Sequence, residues 1–211
     1  MSAAAQALVV HVVDDDEAMR VALTRLLGAA GYATRAYGSA GEFLIAAGSE
    51  PEGCLLLDLH MPGPDGLALH EALRQRGWTV PTVFLTGRGD IPTSVRALKA
   101  GASDFLTKPV RSEVLLDAIR SAIEADAPRR AGRERRREAR VRFASLDERE
   151  RTVLRRVLQG ALTKQIAWEL GVSERTVKAD RACVMRKMGA TTLPELVRVA
   201  EGLDGEPAPD A

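Results

Sequence analysis

Two acidic sites stand where apolar runs of the chain stop. Asp14-Asp15-Asp16-Glu17 follows Leu8-Val9-Val10-His11-Val12-Val13, and Asp58 closes Gly53-Cys54-Leu55-Leu56-Leu57-Asp58. Short apolar runs of this kind, stopped by turn residues, read as buried parallel strands. Open α/β sheets place their ligand sites at the carboxyl ends of such strands. A single acid there usually just faces solvent. Two such sites on neighbouring strands would instead bring three or more carboxylates to one mouth. Such a cluster is costly to keep charged without a cation, and oxygen ligands alone suit a hard one such as Mg²⁺. A carboxylate is also a weak nucleophile, and any attack by it on a group that gathers negative charge requires that charge to be neutralised, which a divalent cation can do.

The elements that must hold these groups follow from periodicity. Met19, Ala22, Leu23, Leu26, Leu27 and Ala30 recur at helical spacing, with Gly31 as a left-handed stop and Asp16 as the N-cap. Residues 32–37 form a second strand and 39–47 a short helix. After the strand ending at Asp58 come a helix over 67–75, a strand over 82–85, a helix over 92–100, a brief strand over 104–106 and a helix marked by Val114, Leu115, Ala118, Ile119 and Ala122. Alternating strands and helices predict an α/β fold with a doubly wound parallel sheet.

The strings Val13-Asp14-Asp15-Asp16, Leu57-Asp58-Leu59-His60-Met61-Pro62, Leu85-Thr86-Gly87 and Thr107-Lys108-Pro109 resemble a bacterial response-regulator receiver domain. The resemblance implies a flavodoxin-like five-stranded sheet of order 2-1-3-4-5 over residues 1–126. It implies Asp58 as phosphoacceptor, and Asp14, Asp15, Asp58 and the backbone carbonyl of His60 around Mg²⁺ (or Mn²⁺), with Asp14 acting through water. Lys108, in a turn that is commonly cis in receivers, would pair with the phosphoryl oxygens, and Thr86 would donate its hydroxyl to them. Phe105 would turn inward as Thr86 moves, changing the partner of the face built from helix 4, strand 5 and helix 5. Dimerisation on phosphorylation is the expected outcome.

Charge is distributed unevenly. Residues 1–126 carry 11 Lys/Arg against 16 Asp/Glu, whereas residues 127–144 carry 8 Arg against 2 Glu. An acidic front and a basic connector point to separate partners. Pro128 should end the preceding helix, leaving 127–144 as a basic linker helix with Glu134 and Glu138 as spaced partners. That linker is either solvated, bound to phosphate, or docked on the acidic front. Cys54 and Cys183 read as small packing residues, and His11, His60 and His70 lack ligand spacing with them. No apolar run is long enough to cross a membrane, and no secretory leader precedes the first acidic site, so a cytoplasmic protein is expected.

Residues 145–203 predict a small all-α domain. Ser145 with Glu148 gives a capping box ahead of a helix burying Val153, Leu154, Val157 and Leu158. A short helix over 163–170, Gly171, and a Ser173-capped helix over 174–188 form a helix-turn-helix pattern, followed by a fourth helix over 193–201. On the third helix, Val177, Val184 and Met188 share one side. Arg175, Lys178, Ala179, Ala182 and Arg186 share another, where basic and small residues let a helix approach a major groove. Leu146-Asp147-Glu148-Arg149-Glu150, Lys164-Gln165-Ile166-Ala167 and Ser173-Glu174-Arg175-Thr176-Val177-Lys178 resemble a LuxR-type DNA-binding domain. With the receiver, the whole chain is similar to the NarL/FixJ class, and the loop over 86–90 leans toward FixJ. Lys164, Arg175, Thr176, Lys178, Ala179, Arg181, Ala182 and Arg186 are the expected DNA contacts. The chain departs from the pattern at Thr163, where the family has Asn, and at Asp180, where it has His. Residues 204–211 are polar and Pro-containing, and read as disordered.

These features predict a phosphorylation-controlled DNA-binding transcription regulator, not an enzyme. Its partners would be a sensor histidine kinase, promoter DNA, a second copy and RNA polymerase. A stand-alone phosphotransfer enzyme would be expected to place a general acid or base beside Asp58, and none is apparent. An interaction module with weakened DNA binding is the other reading, with Asp180 as its support.

Overall fold

The computed structural model describes residues 9–48, 50–87 and 91–203. Leu8, the end of the 86–90 loop and the tail over 204–211 lie outside the described residues. The chain divides into two compact units at Pro128–Arg129.

The first unit is built on five parallel strands, β1 (Val9–Val13), β2 (Ala33–Tyr37), β3 (Cys54–Asp58), β4 (Thr82–Thr86) and β5 (Asp104–Thr107), in the order β2-β1-β3-β4-β5. This is the order the receiver resemblance implies. Between the strands run α1 (Glu17–Ala29), α2 (Ala40–Ala47), α3 (Gly66–Gln75) and α4 (Ile91–Lys99). β3 and β4 are buried along their whole length because both sheet faces are covered. Successive side chains therefore feed two cores: Leu55 and Leu57 join Phe43, Leu69, Leu73 and Phe84, whereas Cys54 and Leu56 join Leu23, Leu27, Leu115 and Ile119. Edge strand β2 alternates less cleanly and buries only Tyr37 fully. Asp16 caps α1 by accepting the Ala18 and Met19 amides, and Ser39 caps α2 through the Glu42 amide.

α5 (Ser112–Ala144) differs from expectation. It continues through Pro128 into the basic stretch. A proline inside a helix costs about 3 kcal/mol. The turns on either side bury Ile119, Ala122 and Ile123 in the first unit and Ala139 in the second.

The second unit adds α6 (Glu148–Leu158), α7 (Thr163–Leu170), α8 (Glu174–Met188) and α9 (Leu193–Glu201). Its core gathers Leu146, Val153, Leu154, Val157, Ile166, Val177, Val184, Met188 and Leu196. Two local expectations are corrected. The capping box of α6 is Asp147 with Glu150, because Ser145 and Leu146 still belong to the turn leaving α5 and Ser145 Oγ donates back to Arg142 O. Leu158, in the last turn of α6, is exposed at 38% and does not join the core.

Candidate functional site

The parallel register decides the site. β1 pairs directly with β3, Val13 opposite Leu57, so the residues following both strands emerge side by side. Asp14, Asp15 and Asp58 each bring a carboxylate oxygen within 4.8 Å of the others. Asp14 and Asp58 are buried and Asp15 is exposed. Lys108 follows β5, and its backbone N–H bonds to Thr86 O at 2.7 Å, which ties the lysine turn to the end of β4. The Lys108–Pro109 peptide is cis, as the receiver resemblance implies. Lys108 Nζ lies 2.6 Å from Asp14 Oδ2 and 3.4 Å from Asp58 Oδ2.

The carboxylates are not equivalent. Both Asp14 oxygens have a partner: Oδ1 accepts the Asp16 amide at 2.9 Å and Oδ2 accepts Lys108. Asp58 Oδ1 is buried and accepts no hydrogen bond from the described residues. Burial pushes the Asp58 carboxyl above its ordinary range; Lys108 pulls it down, the Asp14 charge raises it, and a backbone hydrogen bond from His60 lowers it. A buried anion with an unsatisfied oxygen, flanked by two more carboxylates and exclusively oxygen donors, fits a hard divalent cation. Gly66 holds the β3–α3 turn against this mouth. A Cβ there would lie 2.2 Å from Asp58 O, while its amide bonds Leu59 O at 3.0 Å. Thr86 is fully buried at the end of β4. Phe105, half-buried on β5, lies 6.3 Å from the Phe84 ring, tilted by 38°. Asp14, Asp15, Asp58, Lys108 and the end of β4 thus meet at one mouth. The side chain of Phe105 lies on the core side of β5, against Phe84.

In the second unit, α8 shows the expected division. Val177, Val184 and Met188 are buried, while Arg175, Lys178, Ala179, Ala182 and Arg186 form an exposed row. Lys164 is exposed on α7. Thr176 and Arg181 are half-buried and partly committed: Thr176 Oγ1 lies 2.9 Å from Ser173 Oγ at the helix start, and Arg181 Nη1 donates to Thr163 Oγ1 at 3.3 Å, joining α8 to α7. Asp180 is partly buried and pairs in charge with Arg149 Nη2 on α6 at 2.7 Å, although the geometry leaves Oδ2 without a well-aligned hydrogen bond. The same side of α8 holds Lys187, 2.5 Å from buried Glu150. The hydrogen bond from Lys187 is the foremost reason the Glu150 carboxyl falls to about 2, with Cys183 and the Asp147 amide adding to it. Arg149, Arg142 and Glu150 are structural partners of α8 that periodicity alone did not single out, since each meets a residue distant in sequence.

Residues 10–120 match the response regulator receiver domain, and residues 144–200 match the bacterial regulatory proteins of the luxR family. The chain is 42% identical over 206 residues to the transcriptional regulatory protein FixJ of Azorhizobium caulinodans, covering 98% of each. It is 43% identical over 198 residues to the response regulator protein TodT of Pseudomonas putida strain F1, covering 94% of this chain and 87% of that one. Among solved structures, the response regulator StyR aligns with a TM-score of 0.72 at 43% identity, covering 92% of this chain and 98% of that one. Together with the parallel sheet and its acidic mouth, these likenesses define a two-domain signalling protein that couples a receiver to a DNA-binding module. The chain belongs to the response-regulator family and, within it, to the FixJ-like members of the NarL/FixJ class, phosphorylation-controlled transcription regulators rather than enzymes.

Proposed function

We propose that Asp58 accepts a phosphoryl group from the phosphohistidine of a sensor kinase, and that this drives dimerisation and promoter binding by the second unit. The observation that carries this reading is the orphaned oxygen of buried Asp58 beside Lys108 and two further carboxylates. An Asp58 oxygen attacks phosphorus, the N–P bond breaks, and the imidazole departs with the electron pair. Lys108, 3.4 Å from Asp58, neutralises charge on the incoming phosphoryl oxygens. Asp14, Asp15, Asp58 and the His60 carbonyl would hold Mg²⁺ (or Mn²⁺), which when bound supplies further neutralisation of that group.

The modified side chain carries almost two negative charges and new acceptor oxygens. Lys108 is drawn from Asp14 toward the phosphoryl group, and Thr86 donates its hydroxyl from the end of β4. Phe105, already half-buried against Phe84, then packs further inward and changes the face formed by α4, β5 and α5, on which a second copy docks. The basic row on α8 enters a major groove, with Lys164, Thr176 and Arg181 beside the phosphates. A cytoplasmic protein facing a sensor kinase, promoter DNA and RNA polymerase is the setting this chemistry requires. An interaction module with weakened DNA binding rested on a negative charge at Asp180, and the Arg149 pair offsets that charge.

Acetyl phosphate with Mg²⁺ is expected to label the intact chain at Asp58 and to leave Asp58→Asn unlabelled. Labelling that persists in the variant contradicts the assignment.

A further inference from the structure

We propose that Arg142 is a positioning residue for the DNA-reading helix: reaching from the end of α5, its guanidinium caps the carboxyl end of α8 and fixes where the basic row of α8 sits. The proposal rests on the reading of α8 as the DNA-contacting helix.

The contact is built from both sides. Arg142 Nη1 donates to Met188 O, the last residue of α8, at 3.1 Å, and Nη2 lies 3.3 Å from Glu138 Oε2 one turn back on α5. Glu138 thereby sets the plane of the guanidinium, leaving its other arm for the helix end. The carboxyl end of a helix carries unsatisfied carbonyls and the negative end of its dipole, so a cation delivered there is favoured. In return Lys187, from the last turn of α8, donates to Ser145 O at 3.2 Å, just past the end of α5, and to buried Glu150 at 2.5 Å. Each helix end is thus held by a cation of the other.

Gly189 makes room for the exchange. It closes α8 in the left-handed region at φ 68, and a Cβ there would lie 2.7 Å from Arg142 Nη1. Any side chain would push the guanidinium off the helix end. At the neighbouring end of α9, a Cβ on Gly202 would lie 3.4 Å from the Ala139 side chain and 3.6 Å from the Arg136 backbone, so α5 is packed closely along this edge of the domain.

The consequence lies in geometry. Hydrogen bonds to base edges weaken steeply with small errors of distance and angle, whereas attraction to phosphates depends on net charge. A helix free to shift along its axis would keep its affinity for any duplex and lose its preference among duplexes. Loss of Arg142 should therefore act on discrimination, which mere loss of a positive charge does not.

The experiment uses the full chain with acetyl phosphate and Mg²⁺, and a duplex selected by it from a random pool in that state, against a scrambled duplex of equal length. Arg142→Met is expected to lower the ratio of the two affinities about tenfold, the size of one charge-assisted hydrogen bond. Amide exchange in the last turn of α8 should speed up, with Arg142→Lys restoring part of both. Arg140→Met, which removes an exposed charge from the same helix, should weaken binding to both duplexes alike. Should Arg142→Met fail to fold, Gly189→Ala displaces the guanidinium with every charge kept while straining the left-handed helix end; it should lose discrimination at unchanged salt dependence, whereas Gly160→Ala, at a similar left-handed position with nothing within 4 Å, should keep it. Equal weakening of both duplexes by Arg142→Met, or full discrimination in Gly189→Ala, overturns the proposal. A wild-type chain that enriches no duplex instead overturns the DNA-binding reading, and this proposal with it.

Discussion

Asp58 and Glu150 illustrate opposite treatments of a buried carboxylate. Glu150 is fully paired, and its carboxyl is held at about 2 by Lys187, Cys183 and the Asp147 amide. Its folded value lies below its ordinary one, so the stability it contributes is present above about 4.5 and is lost as pH falls from there toward about 2. Acid titration of the second unit's helicity should follow that window and flatten in Glu150→Gln. Asp58 is incompletely paired and its carboxyl is raised, mainly by burial. The sign is therefore reversed: protonation stabilises the fold as pH falls through the raised value, and the charged form above it carries a cost. A cation should relieve that cost. Mg²⁺ at a hundred times its dissociation constant is expected to add about 2.7 kcal/mol to unfolding of the first unit. Asp58→Asn should lose most of this gain in a thermal melt, and an equal gain in the variant would remove Asp58 from the cation site.

The elements were legible in the sequence wherever one local signal decided them. The apolar runs of β1 and β3 and the cap at Asp16 lie where periodicity and residue type place them, and α8 with its Val177, Val184 and Met188 stripe has the expected bounds. The misreadings came from competing signals. Pro128 is a strong local breaker, yet α5 runs through it from Ser112 to Ala144. Ser145 and Asp147 both offer a cap to α6, and Asp147 wins because Glu150 reciprocates while Ser145 turns back onto α5. The partner of Asp180 was out of reach of sequence, since Arg149 approaches from another helix. With its charge paired, Asp180 should repel DNA only weakly. Asp180→Asn is expected to tighten binding to all duplexes alike, and to steepen the salt slope by less than the unit that a whole phosphate contact contributes. Lys178→Ala should cost about 1–3 kcal/mol at the selected duplex if it reads a base edge. Salt-matched shift assays measure both, and no effect of Lys178→Ala would place that side chain outside the interface.

At the scale of the whole chain, regulation requires that a charge placed at the mouth of the sheet alter what the second unit binds. The carboxylate cluster could be anticipated because two strand ends each carried acids, but that they meet depended on the sheet order, which the receiver resemblance supplied and the β1–β3 pairing bears out. Phosphoryl-driven association through the face formed by α4, β5 and α5 predicts that light scattering will show a doubled mass with acetyl phosphate and Mg²⁺. The most direct test is a titration of the selected duplex with the full chain, with and without acetyl phosphate and Mg²⁺. A phosphoryl group on Asp58 should tighten binding by roughly 5- to 150-fold, the usual range of coupling between sites, and Asp58→Asn should show no change. Equal affinity in both conditions, or the same gain in Asp58→Asn, would contradict control of DNA binding from Asp58.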